Sequence, residues 1–240
     1  MISKITKSVQ QPRTAIENVL SVVISNELSF KIADWGRHRD IEHYVQIDPF
    51  EIYWVSPSDI CRNTGRKYPP WKNRRQLIGK VKSGDWDRRP PKKGYPEKFE
   101  QRTYYRAAEL HFNQGVPLDD DQFWRENFPN KRVNRIKYHL KRIDKLVNSI
   151  ENIGYQTQDE LGGYRRDRRL RYGHEILVDI ARDGEFLFVD GSHRLTAAKL
   201  LGLQEIPVAV GVRHRKWGEK LANNPESLPQ DHPDVMQVLR

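Results

Sequence analysis

Between residues 133 and 150 the apolar positions Val133, Ile136, Leu140, Ile143, Val147 and Ile150 recur at spacings of three and four. That period lines one face of a helix, so a long amphipathic helix is predicted, with Gly154 placed to close it in a left-handed conformation. Ile16, Val19, Leu20, Val23 and Ile24 predict a second amphipathic helix over 13–29. Residues 50–55 alternate and are stopped by Pro57, which reads as a strand running into a turn. The β-branched runs 175–181 and 185–189 predict two more strands. Asp183-Gly184 between them predicts a two-residue hairpin turn, because these residues accept positive φ. A short helix then runs through Leu201, is stopped by Gly202, and leads into a strand over 206–212. Short helices are expected over 99–113 and 119–127, the second with Asp119, Asp120 and Asp121 where a helix N-terminus favours anions. Residues 30–47 carry no clear pattern, and no segment repeats another. The order predicts an α+β fold with a mixed sheet and flanking helices.

The 240 residues are 37% hydrophobic and 31% charged, enough for a real core in one domain or in one domain with an appended lobe. The longest apolar runs are a few residues, far short of the ~20 that a membrane span needs, so no membrane span is expected. The N-terminus lacks a continuous apolar stretch ending in small residues, and one cysteine, Cys61, excludes an internal disulfide or a cysteine-based zinc cluster. A cytoplasmic location follows as the expectation. His38, His43, His111, His139, His174, His214 and His232 show no metal-ligand spacing, and a zinc site would need His and carboxylates brought together by the tertiary fold.

The formal charge of +10 is concentrated. Residues 62–93 hold 12 of the 42 Lys and Arg residues beside two acids, Asp85 and Asp87, which leaves 30 of each sign elsewhere. The segment is rich in Pro and Gly and carries Trp71 and Trp86. It reads as an exposed loop, either simply solvated or able to meet a polyanion. Lys131, Arg132, Arg135, Lys137, Lys141 and Arg142 put six cations on the long helix with no acid among them, and 165–171 adds five arginines around Asp167.

The densest chemistry sits at Asp190-Gly191-Ser192-His193-Arg194, between a strand end and a helix start. Glycine permits a tight turn and close backbone approach, and the following N–H groups point outward with the partial positive charge of the helix dipole. Ser192 adds a hydroxyl, His193 a titratable ring, and Arg194 a planar fork matched to phosphate. The same residues also suit plain helix capping.

The stretch 188–210, Phe-Val-Asp-Gly-Ser-His-Arg-Leu-Thr-Ala-Ala-Lys-Leu-Leu-Gly-Leu-Gln-Glu-Ile-Pro-Val-Ala-Val, resembles a box of the ParB/sulfiredoxin-like superfamily. That box is a Gly-x-x-Arg turn, an Ala-Ala helix, a Leu-Gly-Leu stop and an Ile-Pro-Val strand. Residues 143–155 look like its upstream helix and glycine, and 52–60 like its opening strand and Pro turn. The resemblance implies a ParB/sulfiredoxin-like domain over 46–217 with a basic insertion at 61–132. It leaves an N-terminal helical extension over 1–45 and a Pro-rich C-terminal tail over 218–240, an arm on the body or partly disordered.

What the resemblance implies for chemistry is a nucleotide site, with Gly191, Ser192, His193 and Arg194 holding phosphate oxygens and Tyr155, Gln156 and Thr157 nearby. Sulfiredoxins carry a cysteine where this chain has Ser192, which argues against sulfinic acid reduction. Chromosome-partition ParB proteins carry Glu-Arg-Arg after the glycine and a helix-turn-helix domain downstream, which this tail does not resemble. The free serine kinases carry Asp-Gly-x-His-Arg, matched here at every defined position. The leading expectation is therefore a nucleotide-dependent phosphotransferase acting on a small hydroxyl-bearing substrate, using ATP or ADP (or CTP) with Mg²⁺. Asp190 and His193 are its candidate catalytic groups, joined by Asp85 and Asp87, two acids flanking Trp86 that would line a pocket or hold the metal. For Asp85 and Asp87 the plainer reading is ion pairing with Arg88 and Arg89. The alternative function is a nucleic-acid-binding ParB-like protein, with or without nuclease activity. It would use Arg74, Arg75, Lys80, Lys82, Lys131, Arg132, Arg135 and Lys137 on phosphates, with Tyr68 or Trp71 stacking on bases. Arg213, His214, Arg215 and Trp217 follow the last strand as pocket-lining or exposed strand-end residues.

Overall fold

The computed structural model describes residues 40–41, 43–67, 77–91, 94–162 and 175–240. The helix expected over 13–29, most of 162–173, and Tyr68, Trp71, Arg74 and Arg75 lie outside the described residues. A six-stranded mixed sheet is built from β1 (Tyr53–Val55), β2 (Arg62–Asn63), β3 (Lys80–Lys82), β4 (Ile176–Ile180), β5 (Phe186–Asp190) and β6 (Ile206–His214). Its order is β1-β6-β4-β5-β2, with β3 also against β6. Nine-residue β6 is long enough to serve two partners: Ile206–Val208 pair antiparallel with β1, and Val212–His214 pair parallel with β3. Strands β4 and β6 are buried at every residue, and so read as nearly continuous apolar runs.

Alternation along the strands sorts the core into two faces. Ile176, Val178 and Ile180 join Phe186, Phe188, Val208 and Val210 on one face, where Trp217, Leu221 and Val235 cover them. On the other, Leu177, Val189 and Ala209 pack with Ile78, and Leu187 and Val212 with Leu77 and Trp86. The described residues also form six α-helices: α1 (Thr103–Gln114), α2 (Asp121–Asn127), α3 (Val133–Ile153), α4 (Ser192–Leu200), α5 (Arg215–Asn223) and α6 (Pro233–Val238). The predicted stripe of α3 is buried at Ile136, Leu140, Ile143, Val147 and Ile150, packed with Ala107, Ala108 and Trp124 of α1 and α2. Helix α4 joins the layers: Leu195 and Ala198 enter the sheet core, Ala197 the helical one. Asp120 caps α2 by accepting a hydrogen bond from the Phe123 N–H at 2.9 Å.

Several expectations change. Gly154 ends α3 with positive φ (79°) but extended ψ (170°), outside the left-handed helical region. The hairpin loop is longer than two residues, because Ala181 N–H still donates to the Glu185 carbonyl at 2.9 Å and the turn spans Arg182, Asp183 and Gly184. The described residues of the segment expected as an insertion supply two strands and two α-helices. Its cations are partly structural: Arg66 grips the fully buried Asp179 through Nε (3.0 Å) and Nη2 (2.8 Å), Arg62 pairs with Glu185 at 2.7 Å, and Lys80 with Asp40 at 3.0 Å.

The tail packs into the body. Asp234 of α6 is wholly buried and accepts from Arg213 Nη2 (2.8 Å), Trp217 Nε1 (2.9 Å) and the Tyr53 hydroxyl (2.5 Å). Arg213 and Trp217 are therefore core residues, neither an exposed strand end nor a pocket lining. His214 caps α5, accepting from Lys216 N–H at Nδ1 (3.0 Å) and donating from Nε2 to the Gly84 carbonyl (2.7 Å).

Candidate functional site

The turn Asp190–Arg194 takes the predicted place: β5 ends at Asp190 and α4 begins at Ser192. Gly191 between them has φ +93°, and a Cβ there would stand 3.0 Å from the Ile176 Cα, so both the backbone conformation and the space call for glycine. Asp190 Oδ1 accepts from the Gly191 N–H at 2.9 Å, which ties its carboxylate to the turn. Helix α4 has no side-chain cap.

Ser192 lines an open cleft of about 1570 Å³ walled mainly by the segments 94–104 and 130–135. Two further helix starts reach it, α1 after Arg102 and α3 after Arg132, and neither is capped by a side chain or has an acid in its first turn. Arg102, Arg125, Lys131, Arg132 and Arg135 line the cleft against one carboxylate, Asp121. Asp121 is already engaged by Lys137 and more distantly by Arg125 (3.5 Å), and its hydrogen bond to Lys137 holds its carboxyl below the usual range. Lys131, Arg132 and Arg135 have no carboxylate partner among the described residues. Arg102 is positioned from several sides: Nη1 donates to Asn63 Oδ1 of β2 at 2.9 Å, and its guanidinium lies 4.8 Å from the Tyr95 ring centre and 4.9 Å from that of Phe188.

Two imidazoles meet at the cleft. His139 of α3 lines it, and its Nδ1 lies 2.7 Å from Nε2 of His193. Tyr104 of α1 stacks on His139 with ring centres 3.7 Å apart. Burial, then the neighbouring His193, Arg135 and Arg142, holds His139 down to about 4. Burial and Arg142 likewise lower His193, and Asp190 acts in the opposite direction.

Arg194 differs from expectation. Its Nη1 donates to Glu175 Oε2 at 2.8 Å, and it does not line the cleft. Glu175 is buried, and its Oε1 also accepts from the Gln158 N–H at 2.5 Å. Burial raises the Glu175 carboxyl and Arg194 opposes that rise. Pulling Arg194 onto a ligand would strand a buried carboxylate, at a cost of about 3–5 kcal/mol, so Arg194 acts here as a brace behind the turn. Tyr155 packs beside this pair, pushed up to about 12 chiefly by burial. Thr157 closes its own turn, with N–H and hydroxyl both donating to Glu160 Oε2 (2.7 and 2.9 Å). Gln156 is half-buried and outside the cleft lining.

Asp85 and Asp87 are corrected more sharply. Both bind Arg182 in the hairpin loop, at 2.8 Å and 2.7 Å, and not Arg88 or Arg89. Asp87 is buried, and burial alone would raise its carboxyl, but the Arg182 side chain and N–H and His214 bring it to about 2. Neither lines this cleft, and Asp85 instead lines a separate pocket of about 300 Å³ with Arg182, His214 and Arg215. Among the nucleic-acid candidates, Lys131, Arg132 and Arg135 come together in the cleft and Lys137 beside it on Asp121, whereas Lys80 and Lys82 lie in β3. Arg102, Tyr104, Arg125 and His139 went unmarked in the sequence: His139 sits in a polar helix face with no spacing to single it out.

Among the described residues no group of three His, Cys, Asp or Glu side chains is placed to hold a metal. The one carboxylate that lines the cleft, Asp121, is engaged by Lys137. No helix of the described residues is long and apolar enough to cross a membrane. No family model, curated protein or solved structure matches this chain.

Proposed function

We propose that the cleft binds the phosphates of a nucleotide and that the chain is a nucleotide-dependent phosphotransferase, a stand-alone relative of the ParB/sulfiredoxin-like superfamily. The observation that carries this reading is the cleft's charge: five cationic side chains face one carboxylate that Lys137 already occupies. Phosphoryl transfer depends mostly on positioning and on neutralising charge, which such a wall supplies. A volume of about 1570 Å³ exceeds the roughly 300–1,000 Å³ of a typical small-ligand site, leaving room for a hydroxyl-bearing acceptor beside the nucleotide. Tyr95 and Tyr104 offer ring faces for a base. Family membership rests on the residues of 188–210, and any Mg²⁺ would arrive on the nucleotide's own phosphates.

The test is calorimetric and thermal-shift titration with ADP, ATP, CTP and GTP, each with and without Mg²⁺, on the wild type and an Arg132→Ala/Arg135→Ala variant. One nucleotide should stabilise the wild type by about 2.7 kcal/mol at a hundredfold excess over its Kd. The variant should bind at least ~10-fold more weakly, since a charge-assisted hydrogen bond contributes about 1.5–3 kcal/mol. If no nucleotide stabilises the wild type, the proposal fails. The exposed cations continuing along α3 through Lys141 and Arg142 favour nucleic acid as the second reading, marked by affinity that falls steeply with salt.

A further inference from the structure

The contact between His139 Nδ1 and His193 Nε2 constrains how many protons the two rings can hold. At 2.7 Å it is a hydrogen bond, so one ring donates and the other accepts. With both rings neutral, one outer nitrogen, His139 Nε2 or His193 Nδ1, carries no proton. One more proton fits there with the bond intact, whereas a second would set two N–H groups against each other. The pair is therefore a store for a single proton.

Its surroundings decide when that store fills. Arg135 and Arg142 lie one turn to either side of His139 on α3, and Arg142 and Arg102 also act on His193. Asp190, at the end of β5, is the acid that opposes them, and Tyr104 of α1 covers the His139 ring. Three cations and partial burial outweigh the one carboxylate and keep the extra proton off while the cleft is empty. A phosphate dianion reverses this balance, because two negative charges close to Arg135 and His139 favour the charged imidazole.

We propose that His139 and His193 form a proton-sharing pair that makes phosphate binding in this cleft proton-linked, the ligand drawing one proton from solvent onto the pair and then accepting a hydrogen bond from His139. The inference rests on the phosphate-binding reading of the cleft. His139 lines the cleft and is the contact residue, whereas His193 is absent from the lining and is a positioning residue that sets the proton's place. No bond other than N–H forms, and the proton comes from the buffer. The pair also fills a gap in the site's chemistry, since Asp121 and Asp190 are tied to Lys137 and the Gly191 N–H.

The experiment is calorimetric titration of the full chain with ADP, without Mg²⁺, at about pH 7.5, where the terminal phosphate is mostly dianionic. Two buffers of equal pH and different ionisation enthalpy are compared. The expected result is a buffer-dependent heat equivalent to uptake of a large fraction of a proton per ADP. Affinity should also rise severalfold, up to about tenfold, for each pH unit lowered. His139→Gln and His193→Asn should abolish the buffer dependence, and Arg132→Ala should weaken binding without abolishing it. Because a misfolded variant would also lose the buffer dependence, ¹⁵N-imidazole spectra of the wild type provide the second readout: ADP should move the His139 signals toward the protonated form. ADP that binds with no buffer dependence and unmoved imidazole signals overturns the pair and leaves the phosphate site standing. ADP that gives neither heat nor stabilisation in either buffer overturns the pair, and the same silence from ATP, CTP and GTP overturns the phosphate site as well.

Discussion

Gly184 is held to glycine by two independent constraints. Its φ is +96°, and a Cβ would stand 2.8 Å from Cη2 of Trp217, a buried ring that the Asp234 carboxylate fixes through Nε1. The neighbouring contacts allow little relief, because His232 donates from Nε2 to the Gly184 carbonyl at 3.1 Å and stacks on Phe186. Gly184→Ala should therefore cost more than the ~1–2 kcal/mol of the backbone conformation alone. Urea unfolding should show a loss of about 2–4 kcal/mol. An unchanged midpoint would mean that Trp217 can move aside. At the cleft, single residues divide into those that line it (Arg132, Arg135, His139) and those that hold others in place (Arg194 through Glu175, Asn63 through Arg102).

The helices around the cleft are built against their own stability. Helix α3 begins after Arg132 with no side-chain cap and no acid in its first turn, and Arg135 and Lys137 follow within the first two turns. Both features are the reverse of what a helix N-terminus favours, since its exposed N–H groups and dipole call for an acceptor and negative charge. Helix α1 repeats the arrangement after Arg102. Cations at uncapped helix starts are costly in an empty site and favourable once an anion arrives. Arg132→Asp should accordingly raise stability by about 0.5–2 kcal/mol in thermal or urea unfolding while weakening nucleotide binding. Loss of stability together with unchanged binding would show that Arg132 serves the fold and not a ligand.

Across the molecule, three buried ion pairs join segments far apart in the chain: Arg66 with Asp179, Arg182 with Asp87, and Arg213 with Asp234. Burial alone would raise the Asp234 carboxyl, but Arg213 and the hydrogen bonds around it bring it to about 2, and Asp87 is held at about 2 in the same way. A carboxylate with a folded value below its unfolded one stabilises the protein above the unfolded value, near 3.8, and that contribution is lost as pH falls through the folded value. The chain should therefore lose stability steeply between about pH 4 and 2. Asp234 alone would contribute on the order of 2 kcal/mol to that loss. Circular dichroism against pH checks this: wild type should unfold in that window, and Asp234→Asn should already be destabilised at neutral pH because the buried Arg213 charge loses its carboxylate. A flat profile for wild type between pH 4 and 2 would mean these pairs do not hold the fold together.

Local patterning by itself determined much of this protein. The stripe of α3, strands β4 to β6 and the placement of Asp190 to Arg194 between strand and helix all follow from periods of 3.6 and 2 and from glycine's backbone freedom, which neighbouring residues encode. Only the tertiary structure could decide that β2 and β3, two and three residues long, join the sheet, since strands so short carry no readable period. The same holds for Asp85 and Asp87 meeting Arg182, for Arg194 being held by Glu175, and for His139 finding His193 across 54 residues of sequence. Charge and hydrogen bonding act through space without regard to chain separation, so the sequence supplied these groups and the packing of α1, α3 and α4 around one cleft determined which of them meet.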